Sequence, residues 1–97
     1  LLSPLLLLCA PSSFAHDHWI NAGGFKAPNG HEWCCNENDC LQIPGDTVSV
    51  TSRGYLLRDH SETVPYRETL PSQDGAYWRC QRPDGTRRCF FAPPPGT

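Results

Sequence analysis

Ala76-Tyr77-Trp78-Arg79-Cys80-Gln81, then Arg82-Pro83-Asp84-Gly85-Thr86, then Arg87-Arg88-Cys89-Phe90-Phe91: two aromatic-rich runs flank a turn in which proline presets φ and glycine takes the positive φ required. This is the signature of a β-hairpin. With a four-residue loop over Pro83 to Thr86, Arg82 faces Arg87 and Cys80 faces Cys89, and directly opposed cysteines come close enough for a cross-strand disulfide. A three-residue loop shifts that register by one residue. Alternation puts Trp78 and Cys80 on one side of the first strand and Tyr77, Arg79 and Gln81 on the other.

Working back from the hairpin, Ser72-Gln73-Asp74-Gly75 reads as a turn, and Thr63 to Thr69 as a short edge strand, because Pro65 cannot donate to a ladder. Thr47-Val48-Ser49-Val50-Thr51 is β-branched and alternating, Ser52-Arg53-Gly54 is a turn, and Tyr55-Leu56-Leu57-Arg58 returns as a strand. No ten-residue stretch carries a helical apolar stripe. The fold class expected is all-β: a small disulfide-stabilised antiparallel meander of four or five short strands over residues 46–92. An irregular Cys-rich arm (16–45) precedes it and an extended Pro-rich tail (93–97) follows. Trp19 and Trp33 lie in the arm, and at least one is expected to pack over the sheet as part of the core.

Residues 1–15 read as an N-terminally incomplete signal peptide. Leu5 to Ala10 is the apolar core, and Ser13-Phe14-Ala15 places small residues three before and one before a cut after Ala15. The run is too short to span a bilayer, and Leu8 before Cys9 does not suit a lipid-attachment signal. Cleavage leaves one small domain with a marginal core and five cysteines: Cys34, Cys35, Cys40, Cys80 and Cys89. An oxidising compartment makes disulfides their default state. Cys34 and Cys35, being adjacent, are expected to face different partners. Either of them closes a short loop with Cys40, while the competing scheme sends one to Cys80 or Cys89 and so staples the arm to the sheet. The odd cysteine offers a disulfide-linked dimer or a free thiol.

His16-Asp17-His18-Trp19, the CC-x4-C cluster from Trp33 to Cys40, Asp74-Gly75-Ala76-Tyr77 and Arg88-Cys89-Phe90-Phe91-Ala92-Pro93-Pro94 together resemble a group of small exported proteobacterial proteins, mostly alphaproteobacterial. The resemblance covers nearly all of the chain after Ala15, and it implies a periplasmic or secreted location in a Gram-negative bacterium. It carries over no catalytic residues.

The formal net charge of −2 conceals an asymmetry, with the arm acidic and the remainder, which holds seven arginines, basic. That balance argues against a general nucleic-acid or anionic-membrane role. Two metal readings arise. A new amino terminus at His16, with His18 third, offers a square-planar nitrogen set for copper, and His31 is a further candidate ligand. His31, Cys34, Cys35 and Cys40 could instead form a structural zinc site, although adjacent cysteines converge poorly on one tetrahedral centre. No CxxC, GxSxG or HExxH motif is present, and a solvated face accounts for Glu62 and Glu68, so catalysis is not expected. Trp78, Arg79, Arg82, Arg87 and Arg88 resemble a binding face, with guanidinium groups around aromatic anchors. The function expected is a non-catalytic binding or structural module whose partner is a protein or an anionic envelope component.

Overall fold

The computed structural model describes residues 19–34 and 39–94. A single helical turn, α1 (Trp19–Ala22), opens them. Seven strands follow: β1 (Cys40–Ile43), β2 (Val48–Thr51), β3 (Gly54–Leu57), β4 (Glu62–Val64), β5 (Thr69–Pro71), β6 (Tyr77–Gln81) and β7 (Arg87–Ala92). The fold is all-β, as the sequence indicates, but the strands form two sheets. One has the order β1-β6-β7-β5 and the other β2-β3-β4. The meander expectation is corrected in three respects: there are seven strands rather than four or five, they divide between two sheets, and β5 runs parallel to β7.

Proline corners carry the chain between the sheets. Pro44 and Pro65, with φ near −59° and −58°, each introduce a 3-10 turn. The Pro44 carbonyl accepts from Thr47 N and Oγ1; that of Pro65 accepts from Glu68 N and Thr69 Oγ1. Both turns are therefore hydrogen-bonded internally at the point where pairing to a neighbouring strand lapses. The segment expected as one strand, Thr63 to Thr69, is accordingly split into β4 in one sheet and β5 in the other. Likewise β1 lies inside the stretch expected to be irregular.

β6 and β7 form the centre of the molecule. Cys89, Phe90, Phe91 and Ala92 are all buried, as befits a strand covered on both faces. On one face Trp78, Cys80, Cys89 and Phe91 pack against Ile20, Ala27 and Cys34 of the arm, with Trp19 and Phe25 at the margin. The Trp19 and Phe25 rings meet Phe91 edge-on at 5.0 and 5.3 Å. On the other face Phe90 and Ala92, flanked by Tyr77, pack against Tyr55, Leu57 and Val64 of the second sheet. The molecule is thus layered: arm, central sheet, second sheet. Trp19 supplies the core packing expected of the arm tryptophans, whereas Trp33 is half exposed with Lys26 Nζ 4.9 Å from its ring centre.

Two bridges brace the central sheet, one to the arm and one between its own strands. Cys34 bonds Cys89, and Cys40 bonds Cys80. Cys80 does face Cys89 in register, but it equally faces Cys40 across β1. The Cys80–Cys89 bridge and the short loop from Cys40 to Cys34 or Cys35 are therefore both replaced by bridges that join the arm and β1 to the hairpin. Cys35 lies outside the described residues.

Candidate functional site

The last hairpin departs from its expected register by one residue. Cys80 faces Cys89, yet Gln81 rather than Arg82 faces Arg87, so Arg88 is the extra residue of a β-bulge. The bulge leaves Arg88 on the same side as Cys89, toward the arm, with Arg87 toward the second sheet. Arg87 reaches Glu62 of β4 and, at 2.7 Å, Glu68 of the Pro65 corner. Arg88 reaches Asp39 and lies 3.6 Å from Glu32, both in or next to the arm.

The neighbouring arginines divide in the same way. Arg79 Nε donates to Glu62 at 3.0 Å, and its Nη2 donates to the Gly85 carbonyl at 3.2 Å. Arg82 Nε donates to Glu32 at 2.9 Å and Nη1 to the Arg87 carbonyl at 2.7 Å. The arm presents Glu32 from its own small hairpin, in which Lys26 pairs with Trp33, Ala27 N donates to Glu32 O and Cys34 N donates to Phe25 O. That hairpin has no sequence period and was not expected. Hydrogen bonds from Arg82 and then Asn29 hold the Glu32 carboxyl at about 2, well below its ordinary value.

The expected binding face is therefore corrected. Trp78 is only 2% exposed, and its indole N–H donates to Asp74 at 3.0 Å, so it is a core residue rather than an anchor. Arg79 and Arg88 are buried, and all four hairpin arginines hold carboxylates that join the layers. Glu62 and Glu68, read as solvated, are members of this network. Arg82, Arg87 and Arg88 still share a pocket of about 220 Å³ with Ala27, Pro28, Asn29 and Glu68.

A larger opening lies elsewhere. Tyr55, Tyr66, Thr69, Leu70, Pro71, Ala92, Pro93 and Pro94 line a groove of about 440 Å³ between β3, the Pro65 corner, β5 and the end of β7. Tyr66 is 44% exposed and meets Tyr55 edge-on at 5.1 Å, while its hydroxyl donates to the Thr51 carbonyl. Tyr55 packs on Phe90 at 5.6 Å; burial, and then Tyr77 and Tyr66 beside it, raise its phenol above the ordinary value. Among the described residues no charged side chain lines this groove. The corner that creates it was hidden from sequence reading, because Pro65 was taken as part of a single strand.

Of the metal candidates, His16 and His18 lie outside the described residues. His31 is exposed, and Cys34 and Cys40 are committed to disulfides, so the set of His31, Cys34, Cys35 and Cys40 has lost two of its three thiolates. Among the described residues no group of three or more His, Cys, Asp or Glu is placed to hold a metal ion. No family model, curated protein or solved structure matches the chain.

Proposed function

We propose that the protein is a small exported module, working in the cell envelope or outside the cell, that binds an extended partner segment in the Tyr55–Tyr66 groove and performs no catalysis. The groove is the observation that carries this reading: open, apolar, and framed in part by the end of β7, the strand that the Cys34–Cys89 disulfide ties to the arm. The disulfides favour an oxidising compartment, and no helix among the described residues is long and apolar enough to cross a membrane. A lining that combines two tyrosines with three prolines suits an uncharged proline-rich strand in the polyproline II conformation, which has little conformational entropy to lose on docking.

A synthetic oligoproline titrated against isotope-labelled protein tests the reading. Saturable NMR shifts at Tyr55, Tyr66 and Leu70 that Tyr66→Ala abolishes are expected; shifts absent, or indifferent to Tyr66→Ala, would contradict it. Fractionation of cells making the protein with its own leader tests export separately, and a cytosolic product with reduced thiols would refute that part.

A further inference from the structure

We propose that the pocket between the arm and the bulged hairpin binds a phosphate group, received by Arg88 and Arg87 with Arg82 at the rim. This site is separate from the tyrosine groove and does not depend on the function proposed for it. Arg87 and Arg88 take their carboxylates from opposite layers, yet both line one pocket, and Arg82 joins them from the turn, so three arginines border a volume of about 220 Å³.

The donor inventory is what points to a ligand. Arg88 has a side chain only 7% exposed; its Nη1 serves Asp39, but its Nε is buried and, among the described residues, makes no hydrogen bond, its ion pair with the Glu32 carboxylate standing at 3.6 Å. A buried N–H without an acceptor is costly, most of all on a charged group, and a bound oxyanion relieves that cost. Arg82, by contrast, spends its donors on Glu32, Thr86 and the Arg87 carbonyl, so it contributes charge more than hydrogen bonds. The planar fork of Arg88 presents neighbouring N–H groups to two oxygens at once, which matches a phosphate better than a halide.

The opposing charge is just as specific. Glu68 lines the pocket and holds Arg87 Nη2 at 2.7 Å. Three arginines and that one carboxylate line the pocket, and Glu32, Glu62 and Asp39 pair with the same arginines without lining it. Neutralising Glu68 should therefore strengthen capture instead of weakening it. A merely structural ion-pair network has no reason to respond in that direction.

The test is an NMR titration of the disulfide-intact protein with inorganic phosphate, read at the arginine Nε–H signals, against sodium chloride at matched ionic strength. Saturable movement of the Arg88 and Arg87 signals by phosphate and not chloride is expected. Glu68→Gln should tighten the apparent Kd by about tenfold, and Arg88→Lys should weaken it by at least about tenfold. Should Arg88→Lys fail to fold, Arg87→Lys serves in its place. No movement beyond the chloride control, or an affinity that Glu68→Gln leaves unchanged or lowers, would overturn the site. Vesicles of phosphatidic acid in phosphatidylcholine distinguish the source: binding that phosphate competes away identifies a lipid headgroup, and free phosphate binding without vesicle binding identifies the soluble anion.

Discussion

Gly54 shows how a single residue holds the second sheet in place. Its φ is +147°, and a Cβ built there would fall on the Val64 carbonyl oxygen of the neighbouring strand. Only glycine satisfies both conditions. Gly54→Ala is expected to cost about 2–4 kcal/mol, measured as a lower denaturant midpoint at unchanged slope. Two carboxyls act at the same scale. Burial tends to raise Asp74, but the Trp19 indole beside it and hydrogen bonds from the Ala76 N–H, Trp78 and Ser72 outweigh it and leave the group below its ordinary value. Glu32 is held at about 2. Groups depressed by folding contribute stability that is complete above their unfolded values and disappears as pH falls through the folded ones. Urea midpoints should therefore be level from neutrality down to about pH 5 and fall between there and about pH 2, and Glu32→Gln should flatten part of that decline.

At the scale of elements, the hairpin β6–β7 carries the architecture because both its faces are covered and its arginines hold a carboxylate on each side. Glu62 is the shared partner of Arg79 and Arg87. Glu62→Ala leaves buried Arg79 without its carboxylate and is expected to cost about 2–3 kcal/mol, while Glu68→Ala, which removes one partner of Arg87 alone, costs less. Equal effects in thermal unfolding would contradict this ordering. Much of the hairpin was legible in sequence: the turn residues, the opposition of Cys80 and Cys89, and Trp78 and Cys80 on the face away from Tyr77 all follow from local chemistry. The bulge was not, since one extra residue leaves no mark on propensity. Nor were the arginine partners, which sit 17 to 50 residues away in the chain. β1 was missed because Cys-Leu-Gln-Ile is four residues long with a buried, exposed, exposed, buried pattern that shows no strand alternation. The tyrosine groove depends on Pro65 ending one strand and starting a corner, and a proline signals the interruption without saying where the chain goes next.

For the whole molecule, the disulfides are nested: the Cys40–Cys80 loop lies inside the Cys34–Cys89 loop. The inner bridge, spanning 40 residues, restricts the unfolded chain by about 4 kcal/mol. With it closed, the outer bridge closes a path of only about 15 residues, which by the same relation is worth about 3 kcal/mol rather than its stand-alone value. A domain this small, with its core split between two faces of one sheet, depends on that covalent contribution. The connectivity also separates the layered architecture from a plain hairpin with a loose arm. In the layered molecule Cys80 is claimed by β1 and Cys89 by the arm; with a loose arm, the two opposed cysteines would bond each other. Peptide mapping of the purified protein, digested without reduction and with free thiols alkylated, tests this most directly. The expected result is one fragment joining Cys34 to Cys89 and another joining Cys40 to Cys80, and a fragment joining Cys80 to Cys89 would contradict the layered account.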